Sequence, residues 1–157
     1  FLRGQLIDPD RLAIWGHSAG GHLAMMAALS KPEWVRCAVA LGAPSSLDAL
    51  DDAEVADVFG DHPLETASPR HVEVENAPPI LLVHGTADPV CPIAQARDHA
   101  AARPEVELVE VLDGDHGIRW PPLASLKARR QAVSWMVEQM DMPPRGSKWK
   151  RRKKGKR

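Results

Sequence analysis

The chain of 157 residues contains only two cysteines, Cys37 and Cys91. Two thiols are too few for a disulfide framework, and their predicted positions lie near opposite edges of a sheet, too far apart to bridge. We therefore expect free thiols, with Cys37 in the core. The sequence also lacks C-x-x-C and H-E-x-x-H motifs and any visible repeat, so we predict neither a metal site nor another cofactor.

Long apolar runs are missing as well. No stretch approaches the roughly 18 apolar residues of a membrane span, so we predict no span and expect a cytoplasmic protein. The chain begins at Phe1 and not at Met, and its first predicted strand opens only at Leu12. We therefore expect an N-terminal portion to be missing, and with it any signal peptide.

Positive charge is scarce outside the C-terminus. Residues 141–157 hold nine Lys and Arg residues against Asp141, a net charge of +8, so residues 1–140 carry 11 basic and 20 acidic residues, a net charge of −9. Nucleic acid attracts positive surfaces, and we predict that the folded body binds none. The basic end has too few apolar residues to fold alone, so we predict a disordered tail over 143–157. A nuclear-import signal, or contact of this tail with nucleic acid or an anionic surface, is the alternative.

The stretch Trp15–Gly21 (W-G-H-S-A-G-G) is the most informative in the chain. It follows a short apolar run and precedes a run rich in Ala, Leu and Met, which is the strand–turn–helix setting of a G-x-S-x-G elbow. We expect Gly16 and Gly20 to remove the Cβ atoms that would collide around Ser18. The helix directs its first N–H groups toward anything bound there, so we predict the N–H of Ala19 as an oxyanion donor. The alternative is that Ser18 only caps the helix.

Apolar runs and turn residues alternate in an order that predicts an α/β fold. Predicted strands cover residues 12–15, 35–41, 80–83 and 106–112, and predicted helices cover 19–30, 93–102 and 123–140. In the last strand, Glu105 and Glu107 alternate with apolar residues, as in a half-exposed edge strand. The last helix has a rough apolar stripe made of Leu126, Ala132, Val133, Met136, Val137 and Met140. We predict a parallel sheet with helices on both faces.

Three residues, Ser18, Asp88 and His116, lie just after predicted strands. Because such loops gather along one edge of a parallel sheet, we expect the three side chains to meet there. Ser18 becomes a nucleophile when His116 takes its proton, and Asp88 fixes the imidazole tautomer and stabilises the imidazolium. We predict these three as catalytic residues and expect Cys91 at the mouth of their site. The alternative is a surface histidine and a turn aspartate.

Other polar residues near these positions have different expected roles. Asp113 and Asp115 are alternatives for the acid, but they share a loop with the predicted base, where pairing with its ring is awkward. His17, Gly20 and His84 are predicted substrate-binding residues, which line the pocket or shape it by hydrogen bonds.

Three stretches together resemble the C-terminal half of an α/β-hydrolase: W-G-H-S-A-G-G-H-L-A, then A-S-P-R-H-V…A-P-P-I-L-L-V-H-G-T-A-D-P-V-C-P, then D-G-D-H-G. They are most similar to the esterase and lipase branch that borders the prolyl-oligopeptidase-type peptidases. The resemblance implies Ser18 as nucleophile, Asp88 as acid and His116 as base. That family takes a second oxyanion N–H from a loop after an early strand, and no matching stretch precedes Ser18. The resemblance thus implies a catalytic domain over 1–142 without its first four strands.

We predict a serine hydrolase that cleaves small carboxylic esters through an acyl-enzyme. The acidic connection between residues 45 and 79, predicted as a short helix with a solvated face or a small lid, is too short for a large cap domain. A formamidase or a serine peptidase would use the same triad, and an inactive hydrolase-fold binding module is a third alternative. Without early strands, the strand ending at Trp15 is an apolar edge, so we expect the chain alone to be poorly soluble or oligomeric, with activity near background.

Overall fold

The computed structural model describes residues 11–47, 50, 53–118 and 121–141, in which four parallel strands form one sheet in the order β1-β2-β3-β4. The strands are β1 (Leu12–His17), β2 (Val35–Leu41), β3 (Ile80–Gly85) and β4 (Val106–Val111). The helices are α1 (Ala19–Ser30), α2 (Ala53–Phe59), α3 (Ile93–Ala102) and α4 (Pro122–Asp141), with short 3-10 turns at Leu64–Ala67 and Pro69–His71. The predicted parallel α/β fold is confirmed.

Each central strand contributes side chains to two apolar layers, because successive residues of a strand point to opposite faces of the sheet. The layer under α1 and α3 takes Ala38, Ala40, Ile80 and Leu82 from the strands. The layer under α4 takes Cys37, Val39, Leu81 and Val83. Each fully buried Ile or Leu stabilises the fold by about 1.5–3 kcal/mol. Burial on both faces explains why β2 and β3 are nearly continuous apolar runs.

Helix α4 buries only part of the stripe that the sequence predicted: Ala132 is fully buried and Met136 packs against the core. Leu126, Val133 and Val137 are all exposed. The buried face consists of Ser125, Ala128, Ala132 and Trp135. Small side chains let the helix approach the sheet closely, and the indole of Trp135 donates a hydrogen bond to Oε1 of Glu107 (2.8 Å). The spacing identified the helix correctly, but packing distance selected its smaller side chains for the core.

Strand β4 lies at one edge of the described sheet, as predicted, but Glu105 is not on its exposed side. The strand begins at Val106, and Glu105 is buried, with its carboxylate accepting a hydrogen bond from Nε of Arg103 (2.8 Å). Its carbonyl also accepts the N–H of Ile80. A buried carboxylate needs such partners, and a nearby arginine supplies them here.

The connection between β2 and β3 packs against the outer side of α1. Nε2 of His22 donates to the carbonyl of Ala67 (2.7 Å), and its ring meets Phe59 edge-on. The acidic residues Asp48, Asp51 and Asp52 and the basic segment 143–157 lie outside the described residues. Within the described ranges, no helix is long and apolar enough to cross a membrane.

Candidate active site

Ser18 lies in the turn between β1 and α1 with φ 53° and ψ −126°, a backbone conformation that residues other than glycine rarely adopt. Its N–H donates to the carbonyl of Leu41 at the end of β2 (2.9 Å), and its own carbonyl accepts the N–H groups of Gly21 and His22. Such strain persists only where the surrounding contacts determine it fully. The turn therefore fixes the hydroxyl at the carboxyl edge of the sheet.

Two glycines permit this turn, but they are not the expected pair. A Cβ on Gly16 would lie 2.0 Å from the carbonyl oxygen of Gly20, and one on Gly21 would lie 2.6 Å from Cβ of Ala43. A Cβ on Gly20 would meet nothing within 4 Å. The expectation that Gly20 relieves a collision is wrong, because its side-chain direction faces open space. Instead, Gly16 lies against the backbone of Gly20, and Gly21 lets α1 lie close to Ala43 in the segment after β2.

The loop from β4 to α4 carries His116 and is tied to the loop after β3. The N–H of Asp113 donates to Oγ1 of Thr86 (2.8 Å), and the N–H of Ala87 donates to the carbonyl of Gly114 (3.1 Å). Ile118, fully buried in the layer under α4, anchors the far end of the loop with φ 47°. The positions of the two loops are therefore coupled.

The three residues predicted as catalytic lie in one line of hydrogen bonds. Nε2 of His116 is 2.9 Å from Oγ of Ser18, and Nδ1 is 2.9 Å from Oδ2 and 3.1 Å from Oδ1 of Asp88. A carboxylate only accepts, so Nδ1 carries the ring proton and Nε2 is left to accept from the Ser18 hydroxyl. The side chains come together from residues up to 98 apart in sequence.

Asp88 is held by the backbone of its own loop. Its Oδ1 accepts the N–H groups of Val90 (2.8 Å) and Cys91 (2.9 Å), and the residue is buried. Cys91 is also buried, and burial raises the pKa of its thiol to about 12. The expectation that Cys91 lies at the mouth of the site is therefore wrong. Its backbone, which supports the carboxylate, contributes to the site instead.

His84 is behind the carboxylate and not in a pocket. It is 1% exposed, and Nε2 donates to the carbonyl of Cys91 (2.8 Å). Burial lowers the pKa of His84, against the opposite effects of that hydrogen bond and of Asp88. A ring with no accessible surface has nothing to offer a substrate. We therefore correct its predicted substrate-binding role to the hydrogen-bonding alternative.

His17 is exposed beside the predicted base. Its Nε2 donates to the backbone carbonyl of His116 (2.8 Å), and the two ring centroids are 5.1 Å apart. The rings border an open cavity of about 550 Å³, lined by His17, Pro89, Asp115, His116, Gly117 and Arg129. Nη2 of Arg129 donates to the carbonyls of Gly117 and Ile118. The cavity thus adjoins the predicted base, and Ser18 is not among the described residues that line it.

Two residues at the site escaped the sequence analysis. Gly42 (φ 50°) lies against the base, because a Cβ there would be 2.7 Å from the carbonyl oxygen of His116 and 3.5 Å from Oδ2 of Asp88. Its position just after an apolar strand is a signal that was available. Arg129 lies on the exposed side of α4, and no sequence signal identified it as a site residue.

Of the two alternative acids, Asp115 lines the cavity and Asp113 is exposed, whereas Asp88 meets the ring of His116.

A parallel sheet whose strand β1 leads through a strained Ser turn into a helix, with Asp and His on loops after later strands, is the arrangement of an α/β-hydrolase. The chain belongs to the prolyl oligopeptidase family, whose model matches residues 1–143.

Among curated proteins, the chain is similar to two esterases of Mycobacterium tuberculosis. It is 29% identical to esterase LipC over 143 residues, which cover 70% of this chain and 35% of LipC. It is 33% identical to esterase LipQ over 120 residues, which cover 60% of this chain and 28% of LipQ. The chain thus spans about a third of the length of these relatives.

Among solved structures, the chain is similar to esterase 2 of Thermogutta terrifontis. The apo form superimposes with a TM-score of 0.71 at 27% identity, and the match covers 84% of this chain and 57% of that esterase. A propionate-bound form of the same esterase superimposes with a TM-score of 0.67 at 28% identity, covering 84% and 57% of the two chains.

Proposed function

We propose that this chain carries the Ser18–His116–Asp88 triad of a serine hydrolase that cleaves small carboxylic esters. The observation that carries the proposal is the continuous line from Oγ of Ser18 through the His116 ring to Oδ2 of Asp88, with both contacts to the ring at 2.9 Å. Accidental neighbours rarely satisfy the distances of both hydrogen bonds at once.

The chemistry follows from the proton positions. Nε2 of His116 takes the hydroxyl proton while Oγ of Ser18 bonds to the ester carbonyl carbon, and Asp88 stabilises the imidazolium. The N–H of Ala19, at the free N-terminus of α1, donates to the developing oxyanion. His116 then returns the proton to the leaving alcohol. Water attacks the acyl group by the same route, which regenerates the Ser18 hydroxyl.

The substrate that fits best is small. The open cavity beside His116 is about 550 Å³, near the lower part of the range for drug-sized ligand sites. Esterase 2 of Thermogutta terrifontis, a structural relative, binds propionate, the carboxylate of a short acyl group. We infer that this chain acts on short-chain acyl esters.

A fluorophosphonate probe tests the nucleophile directly, because it modifies an activated serine without needing complete turnover. We expect labelling at Ser18, as located by peptide mass spectrometry, when the upstream strands that the sequence analysis predicts are co-expressed with the chain, and we expect the S18A variant to remain unlabelled. The activity measurements below use the same preparation. Ser45, buried in the loop after β2, provides the matched control, because S45A keeps the predicted nucleophile. Labelling that persists in S18A would contradict the assignment.

A peptidase is the second candidate, and membership of the prolyl oligopeptidase family favours it. The same triad serves both reactions, so substrate comparison separates them. We expect p-nitrophenyl acetate to be hydrolysed faster than an N-formyl anilide or a prolyl amide. Preference for the prolyl amide would favour the peptidase, and preference for the formyl anilide a formamidase. A flat response to all three, together with no labelling, would favour a binding module.

A further inference from the structure

A second imidazole lies against the carboxylate of Asp88. Nε2 of His84 is 2.8 Å from the carbonyl oxygen of Cys91 and 3.4 Å from Oδ2 of Asp88. A carbonyl oxygen only accepts, so Nε2 carries the proton and donates it to Cys91. The side chain of His84 is 2% exposed and that of Asp88 0%, so solvent does not share these contacts.

The hydrogen bond from His84 fixes Cys91 from the side opposite to Asp88. The N–H of Cys91 donates to Oδ1 of Asp88, while its carbonyl accepts from His84. One oxygen of the carboxylate is therefore held by the backbone amides of its loop. The other oxygen, Oδ2, lies between Nδ1 of His116 at 2.9 Å and Nε2 of His84 at 3.4 Å. The carboxylate thus accepts from the two backbone amides on one oxygen and from His116 on the other, and His84 acts on it through the carbonyl of Cys91.

We propose that His84 is a positioning residue, which acts through Asp88 and its loop to hold the ring of His116 in line with Ser18. The inference rests on the function proposed above. His84 is assigned no contact with the reacting atoms, because its ring is buried and its hydrogen bond goes to the backbone of Cys91.

The charge state of His84 matters for this role. Burial lowers its pKa, and the nearby ring of His116 acts in the same direction, whereas the carboxylates of Asp88 and Glu110 and the Cys91 carbonyl raise it. A neutral ring lies beside Oδ2 without competing for its charge. The Asp88 carboxylate is then free to stabilise the single imidazolium that forms on His116.

Two His84 variants separate a positioning role from simple packing. H84L keeps apolar bulk but removes the N–H donor, whereas H84Q keeps a side-chain N–H. We expect H84L to reduce the rate of fluorophosphonate labelling and kcat for p-nitrophenyl acetate by about 3- to 10-fold, the usual effect of losing a hydrogen bond between neutral groups, with little change in KM. We expect H84Q to recover most of the loss. Equal losses in both variants would overturn the proposal.

A double-mutant cycle shows whether His84 acts through Asp88. In the D88N background, we expect H84L to reduce the labelling rate by less than about twofold, because the pathway is already broken. A loss in D88N as large as that in the wild-type chain would overturn the proposal. H99Q, at another buried histidine, is the matched control and should lower the rate equally little in both backgrounds.

A readout independent of catalysis keeps the two proposals distinct. NMR of the ¹⁵N-labelled chain should show a protected Nδ1–H proton on His116, which H84L shifts or broadens and H99Q leaves in place. If the wild-type chain is neither labelled nor active, the proposed function fails while this spectrum still tests His84. If H84L does not fold, H84Q is compared with H84N, whose shorter side chain does not reach Cys91. An Nδ1–H signal unchanged across the folded His84 variants would overturn the positioning role.

Discussion

Ser18 and Asp88 lie at the same edge of the sheet, but the fold holds them in opposite ways. Ser18 has a strained backbone (φ 53°) and no side-chain cap on its helix, and close contact between Gly16 and Gly20 fixes the turn. Asp88 is held by hydrogen bonds from two backbone amides and from the imidazole of His116, while the ring of His84 lies 3.4 Å from Oδ2. The proposed nucleophile is positioned by steric contacts and the proposed acid by hydrogen bonds.

This difference has a physical origin. A hydroxyl that must face a substrate cannot be surrounded by donors, so the backbone beneath it has to supply the rigidity. A carboxylate removed from water is stable only with nearly all of its acceptor positions filled. Glycine substitutions should therefore disturb the nucleophile, whereas isosteric removal of charge or donors should disturb the acid.

The largest effect should come from the hydrogen-bonded side, in D88N. The amide keeps an oxygen for Val90 and Cys91 but turns its NH₂ toward Nδ1 of His116, which reverses the ring tautomer. We expect kcat for p-nitrophenyl acetate to fall roughly 10⁴-fold with little loss of stability. D113N is the matched control, because Asp113 is exposed in the base loop. A similar fall in D113N would return the acid role to that loop.

On the steric side, G16A should be the most damaging glycine change. Its Cβ would lie 2.0 Å from the carbonyl oxygen of Gly20 and 2.2 Å from its carbonyl carbon, and neither backbone atom has room to move. We expect a loss of about 3 kcal/mol or more in the free energy of unfolding. Urea denaturation measures it.

G20A is the control for that experiment, because its Cβ would meet nothing within 4 Å. Alanine is a better helix former than glycine, so we expect G20A to stabilise the chain by up to about 1 kcal/mol. If the two variants lose stability equally, the turn does not depend on the Gly16–Gly20 approach.

Local patterns in the sequence were sufficient to predict the elements and the grouping of Ser18, Asp88 and His116. Strand β2 and helix α3 have the predicted bounds, because turn residues such as Pro32 and Pro104 flank them closely. Periodicity does not report how closely a helix approaches a sheet. The predicted stripe of α4 therefore included Val133 and Val137, which are exposed, and missed Ala128 and Trp135, which are buried.

The surroundings of Asp88 were less accessible to sequence reasoning. Proximity to the site suggested that His84 and Cys91 would face the substrate. Their burial depends on the tight turn after β3, which directs the backbone of Cys91 inward, and a residue pattern does not reveal that direction. For Gly20 the error was the reverse: its position in the motif suggested that a Cβ there would be crowded, but nothing lies within 4 Å of that position.

Gly42 joins the steric and the hydrogen-bonded sides, because its missing side chain makes room for the carbonyl of His116 beside Asp88. G42A adds a Cβ 2.7 Å from the carbonyl oxygen of His116 at a positive φ of 50°. We expect kcat to fall about tenfold and stability to fall by about 2 kcal/mol, as urea denaturation measures.

G60A separates the two contributions to that loss. Gly60 has φ 54° with nothing within 4 Å of its Cβ position, so G60A carries only the backbone strain. We expect it to lose about 1 kcal/mol and no activity. Equal effects of G42A and G60A on kcat would mean that Gly42 does not make room for the base.

The smallest effect should be a pH dependence of stability on the hydrogen-bonded side, where helix α3 follows the loop that contains Asp88. Burial, with Arg103, Arg70 and His71 nearby and Glu105 opposing them, lowers the pKa of His99 from 6.5 to about 4. Between these values the unfolded chain binds a proton that the folded chain does not, so stability falls as pH falls. We expect this histidine to contribute a slope of about 1 kcal/mol per pH unit, measured by urea unfolding at about pH 6.5 and about pH 5.

H99Q should flatten the slope, because glutamine does not titrate, whereas G20A, which changes only the steric side, should leave it unchanged. An unchanged slope in H99Q would assign the acid sensitivity to other groups, with His84, whose pKa is lowered in the same direction, the next to test.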